Sequence, residues 1–411
     1  MLSAFKNLLI VKRYRAEIVF TILFYSNYFV SAVTSLAVSR ILGPTDRGLF
    51  AKYLLFYFAF ELAADKGLHG ATQHMCAKEK SFANNLRRPL LGQLVRNSIG
   101  FISVIFILNL QLKLIPSSVL LTLWVAQFIV MIMTVDLPIL QGVDVNRWSR
   151  INLIQPLFYA ILIIFFNIFQ LSASSAVLAI TLSYVPQGLV ARIALKRYLS
   201  QEVKKQYKLP EELRNYANKN LIWTVTSTIF SRIDVFAIAF LYENYFLGMY
   251  STAAGFILLC SPILNAFSTR KFFELSQKSR ISKQDFEREF LLSIFITFIV
   301  ASLLIIFGKY ALITALGESF REINKFLIPA AIIVIGKLTS YSLAQFSRAS
   351  GEPLYAAKWE FASIVLILLI TTICRIMLQN PNLLVVFIIG MVIWIVNCLQ
   401  YKHVLKGFSR L

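Results

Sequence analysis

Three charged residues stand in the middle of apolar runs: Arg232 and Asp234 in one, Lys337 in another. Charge at such a depth is costly, so these groups face a water-filled cavity or each other. Positions i and i+2 of one helix point to different sides. Asp234 is therefore expected to pair with Lys337, which leaves Arg232 for an open cleft. Two polar stripes would complete that cleft. Asn27, Ser31 and Thr34 fall at helical spacing with Ser35 beside them, and Thr224, Ser227, Thr228 and Ser231 do the same. The other reading of these stripes is packing of small hydroxyls between helices. Lys52 and Arg40, near the ends of their runs, either add to the cleft or snorkel to headgroups. Glu61 and Asp136 are candidate proton or cation sites, or else carboxylates with water access at the interface. The chemistry on offer is binding: no nucleophile motif or acid/base pair stands out.

The elements that must position these residues follow from composition. Of 411 residues, 58 % are hydrophobic and 15 % charged, and the net charge is +21. A soluble domain has roughly 25 % charged residues. A soluble enzyme and a nucleic-acid binder are excluded, and the apolar content excludes disorder. A bilayer takes about 20 apolar residues per helix. Twelve such stretches occur, at 17–39, 49–64, 91–112, 117–137, 151–170, 174–194, 220–242, 246–268, 290–308, 326–346, 359–378 and 382–400. The loops are short, and none can hold an extramembrane domain. The fold class is an all-α polytopic membrane protein with about 12 transmembrane helices.

Loop charge sets the orientation. Thirty of the 41 Lys and Arg fall in the loops on the side of the N-terminus, and seven in the alternate loops. Both termini are expected in the cytoplasm. The basic segment ending at Arg15 is followed by a run of full span length, so it reads as a first helix and not as a cleaved signal. The four cysteines are far apart, and the histidines (His69, His74, His403) lack ligand spacing. No metal, disulfide or cofactor is expected.

The charged segment after span six reads as a linker at 192–219, between six-helix bundles at 1–191 and 220–411. Equal parity of the halves predicts a relation by an axis along the membrane normal. A weak repeat agrees: Gly48-Leu49-Phe50-Ala51 and Gly248-Met249-Tyr250-Ser251 occupy matching turns.

The turn Ser39-Arg40-Ile41-Leu42-Gly43-Pro44-Thr45-Asp46-Arg47-Gly48-Leu49-Phe50-Ala51 resembles the "a-R-x-L-G-p-x-x-x-G-l-f-a" pattern of Wzx-type polysaccharide flippases. Ala64-Asp65-Lys66-Gly67-Leu68 is similar to their "a-D-x-G-l". Ser231-Arg232-Ile233-Asp234 and Gly248-Met249-Tyr250-Ser251-Thr252-Ala253 resemble "x-R-i-D" and "G-x-Y-x-x-A", and Gly317-Glu318-Ser319-Phe320 resembles "f-G-x-x-f". The motifs cover nearly the whole chain in order. Gln73-His74 departs from the pattern, where many members carry a basic residue.

The resemblance implies membership of the multidrug/oligosaccharidyl-lipid/polysaccharide (MOP) exporter superfamily, which includes the MATE transporters. It implies two six-helix bundles around a central cavity that tends to be cationic, which fits Arg232 and also Lys52 and Arg40. The implied substrate is an undecaprenyl-diphosphate-linked oligosaccharide, of O-antigen or a related lipopolysaccharide or surface polysaccharide. It would move from the cytoplasmic to the periplasmic leaflet of the bacterial inner membrane. Arginine suits its phosphates. A polysaccharide polymerase and chain-length machinery would be partners, and H+ or Na+ a coupling ion. A MATE-like drug/cation antiporter would favour carboxylates over cations in the cavity. A major-facilitator carrier would show a basic turn after span two that DKGLHGATQHMCAKEK lacks. A membrane-embedded polymerase would need a large outer loop.

Overall fold

The computed structural model describes residues 2–112, 116–198, 209–265, 267–268, 283–349, 353–377 and 383–407. The chain is almost entirely helical, with no strand among the described residues.

Helix α1 (Leu2–Asp65) carries the first two predicted spans and breaks at Gly43, where φ is 70° and ψ 173°. Only glycine takes that conformation without strain. Pro44 then opens the next helical segment, where its missing N–H leaves no bond unmade. A second left-handed stretch, Lys66 and Gly67 (φ 44° and 78°), leads into α2 (Leu68–Lys78). The Asp65 carboxylate accepts from the N–H groups of Gly67 (3.2 Å) and His69 (2.8 Å). It thus satisfies free donors at the α2 start.

Helix α3 (Ala83–Leu112) carries the third predicted span. Next come α4 (Ser117–Thr134), α5 (Leu137–Val143), α6 (Val145–Asn152), α7 (Ile154–Ile168) and α8 (Ala173–Leu195). The later helices are α9 (Glu211–Leu241), α10 (Asn244–Ile257), α11 (Lys283–Leu316), α12 (Asn324–Ala349), α13 (Pro353–Met377) and α14 (Leu384–Gly407). Nine segments among the described residues are long and apolar enough to cross a bilayer. Helix α9 begins within the charged segment read as a linker. Residues 199–208 of that linker lie outside the described residues.

Buried side chains form separate cores. One is built from α9, α10, α11, α12, α13 and α14 around Tyr250, Phe320 and Phe326. Another joins α1 to α4, α7 and α8 around Val38, Leu120 and Ile163. A third, at the expected cytoplasmic end, joins α2, α3 and α5 to Leu213 and Ala217 of α9. Helix α11 turns Leu291, Phe295, Ile306 and Phe307 outward, whereas the segment through α12 is mostly buried. A long apolar face of this kind on an apolar helix fits contact with lipid.

Candidate functional site

A cavity of about 650 Å³ is bounded on one side by α1, α5 and α6 and on the other by α9, α10, α12 and α13. Asn27, Tyr28 and Ser35 come from the first segment of α1, Arg47 and Phe58 from its second. Gln141, Trp148 and Asn152 complete that wall. Opposite stand Ser227, Ser231, Arg232, Asp234, Ser251, Asn265, Lys337, Tyr341 and Glu360.

The polar wall is knitted by side-chain bonds. Asn27 Nδ2 donates to Asn152 O (3.2 Å), and Gln187 Nε2 to Asn152 Oδ1 (2.8 Å). Across the cavity Asn265 Nδ2 donates to Tyr28 Oη (2.9 Å), and off the cavity wall Thr252 Oγ1 of α10 donates to Ser39 Oγ of α1 (3.1 Å).

The three mid-span charges divide as follows. Lys337 Nζ lies 2.8 Å from Asp234 Oδ1 and also donates to Ser231 O (2.9 Å). Tyr250 Oη donates to the other Asp234 oxygen. Asp234 is thus fully engaged, as a buried carboxylate must be. Arg232 is separate: its guanidinium sits 4.0 Å from the Phe58 ring centre, across the seam between α9 and α1. Glu61 lies within electrostatic range of Arg232, His69 and Asp65 but is not on the cavity wall.

Several residues expected at the cleft are elsewhere. Arg40 is exposed and off the wall, and Lys52 is half-buried and off the wall. Thr34 is buried and its hydroxyl donates to Val30 O (2.8 Å), the usual back-bond of a helical threonine. Ser31 reaches only Asn27 Oδ1 (3.5 Å), and Thr228 is off the wall. Asp136 is neither at the cavity nor open to water. It is 1 % exposed, and Arg87 Nε holds both its oxygens at 2.9 and 3.1 Å. That pair fastens α3 to the α4–α5 junction.

The sequence reading missed Arg47. Counted with the outer-loop cations, it is 7 % exposed and lines the cavity. Its Nη2 donates to Ser35 Oγ (3.2 Å), its guanidinium lies 5.0 Å from the Phe50 ring centre, and its Nε has no hydrogen-bond partner among the described residues. The signal was present in Gly43-Pro44: helix resumes at Pro44, so Arg47 is already inside it.

Arg47 and Arg232 thus put two guanidinium groups on one wall-to-wall space, with a third cation neutralised by Asp234. Amide and hydroxyl groups line the same cavity. Planar guanidinium forks suit phosphate or carboxylate oxygens.

This fold, with a polar cavity between helical cores, is that of the transporters of the MOP superfamily. An outward-facing multidrug resistance MATE transporter superposes with a TM-score of 0.68, at 15 % identity and 96 % coverage of each chain. A MATE structure in complex with MaL6 gives 0.70 at 16 % identity, covering 96 % of this chain and 97 % of that one. A MOP transporter from Pyrococcus furiosus, described as having a binding pocket of reversed polarity, gives 0.68 at 14 % identity, with 96 % and 95 % covered. No curated protein sequence matches significantly. The sequence profile described as "Polysaccharide biosynthesis protein" matches residues 15–273, and the chain belongs to that family. The resemblance drawn from the motifs is thereby borne out.

Proposed function

We propose that the protein is a flippase for an undecaprenyl-diphosphate-linked oligosaccharide, which it carries from the cytoplasmic to the periplasmic leaflet of a bacterial inner membrane. The observation that carries the reading is the pairing of Arg47 and Arg232 on the wall of one polar cavity. The two guanidinium groups would take the diphosphate. Trp148 and Tyr28 would offer aromatic groups, and Asn27, Gln141 and Asn265 amides, to a glycan. A side groove of about 470 Å³, lined by Tyr25, Phe29, Leu259 and Pro262, shares Tyr28 with the cavity. It would let the prenyl chain stay in lipid.

Outward movement of negative charge gains about 2.3 kcal/mol per charge per 100 mV of membrane potential. A coupled H+ or Na+ could add to this, and a polymerase would take the product outside. Two six-helix bundles, 1–191 and 220–411, would rock about the cavity with both termini in the cytoplasm.

A second reading, a drug/cation antiporter, is favoured by Glu360 on the same wall. Against it, Asp234 is already neutralised by Lys337. Deletion with complementation tests the proposal. Loss of surface polysaccharide, with lipid-linked repeat units accumulating on the cytoplasmic face, is the expected result. Intact flipping with only short glycan chains would instead point to a polymerase. Intact polysaccharide with increased drug sensitivity would favour the antiporter.

A further inference from the structure

We infer that a second, separate site binds the phosphate of a membrane lipid on the cytoplasmic-facing rim, between α3 and the start of α9. A pocket of about 570 Å³ is lined there by Arg88, Gly92, Arg96, Leu209, Glu211 and Arg214. Arg88, Gly92 and Arg96 follow at four-residue spacing, so they share one face of α3. Gly92 leaves a slot between the arginines: a Cβ placed there would meet nothing within 4 Å. Arg214 closes the far wall.

The charge balance is three arginines against one carboxylate. Glu211 is 4.0 Å from Arg214, and both side chains are largely exposed, which leaves the arginines weakly compensated. The neighbouring Arg87 turns the other way to hold Asp136, so adjacent arginines do different work: one fastens the fold, the other faces the pocket. The pocket lies at the start of α3, where the apolar run 91–112 begins, and loop charge assigns that end to the cytoplasmic side. Basic pockets at that level suit anionic headgroups. The ligand chemistry is a lipid phosphate, whether of an anionic phospholipid or of an isoprenoid carrier. The site shares no residue with the central cavity, so it stands or falls independently of the flippase reading.

The test uses the full-length protein in detergent. Its thermal midpoint is followed during titration with short-chain phosphatidylglycerol, farnesyl diphosphate, phosphatidylcholine and inorganic phosphate. Phosphatidylglycerol or farnesyl diphosphate should stabilise it, and the stronger of the two identifies the source of the phosphate. Arg88→Ala/Arg96→Ala/Arg214→Ala should raise the half-saturating concentration at least tenfold. Gly92→Trp, which fills the slot while keeping all three arginines, should do the same if the triple variant folds poorly. Equal stabilisation by phosphatidylcholine or by inorganic phosphate would overturn the proposal. So would unchanged titrations in both variants.

Discussion

Gly48 and Gly248 press reciprocally on each other's helices. A Cβ on Gly48 would lie 1.8 Å from Asn244 O, and one on Gly248 would lie 1.8 Å from Pro44 O. Each glycine contacts the backbone four residues before the other, which is the pattern of a two-fold contact. The weak sequence repeat thus marks the seam where α1 meets α10. Gly248→Ala must push the two backbones apart, at a cost of about 1–3 kcal/mol for overpacking. The thermal midpoint of the purified protein should fall. Gly100→Ala, where a Cβ meets nothing within 4 Å, should leave it unchanged or slightly raised. Equal behaviour of the two variants would argue against a packed seam.

Arg47→Gln and Arg232→Gln should each lower transport at least tenfold with normal protein levels in the membrane. A hydrogen bond to a charged group contributes about 1.5–3 kcal/mol, and tenfold is about 1.4. Arg40→Gln and Lys52→Gln should stay near wild type, because neither residue lines the cavity. Complementation of a deletion strain, read as surface polysaccharide per unit of membrane protein, distinguishes the pairs. Full activity of Arg47→Gln would remove that residue from the site.

Much of this was legible in the sequence because lipid imposes long apolar runs and loop charge orders them. The nine segments among the described residues that are long and apolar enough to cross a bilayer coincide with nine predicted runs. The short motifs were legible as positions but not as roles. Asp65-Lys66-Gly67 turned out to be a cap on α2: the carboxylate meets two N–H groups, and the chain turns left-handed. Arg47 was illegible to hydropathy alone, because it precedes the apolar run of its own helix. Asp136 was misread because Arg87, its partner, lies 49 residues away, and sequence distance hides such pairs.

Asp234 and Lys337 should behave as a unit. Removing one partner of a buried pair leaves an uncompensated charge and costs about 3–5 kcal/mol, whereas replacing both with apolar residues is often tolerated. Asp234→Ala and Lys337→Ala should each destabilise the protein strongly. Asp234→Leu/Lys337→Met should recover much of the loss, although Tyr250 then loses its acceptor. A double variant no more stable than either single would show that the two charges are not coupled.

Asp136→Asn separates structure from transport. The carboxylate is buried against Arg87 and does not line the cavity. The variant should lose thermal stability while transport per folded molecule stays near wild type. A selective loss of transport at normal stability would return Asp136 to the list of coupling residues.

His69 gives the fold a pH dependence at the start of α2. Burial alone would lower the imidazole pKa, but the charge of Asp65, its hydrogen bond to His69 Nδ1 (2.6 Å) and the charge of Glu61 outweigh it, and the net shift is upward. A folded-state pKa above the ordinary value of about 6.5 means that folding favours the protonated ring. The stabilisation is fully present below that ordinary value and is lost as pH rises through the raised one. The side chain is 41 % exposed, so the effect is modest. The thermal midpoint of the wild type should therefore decline relative to His69→Gln as pH rises from about 6 into the alkaline range. Parallel profiles for the two proteins would show that the Asp65–His69 contact does not respond to protonation.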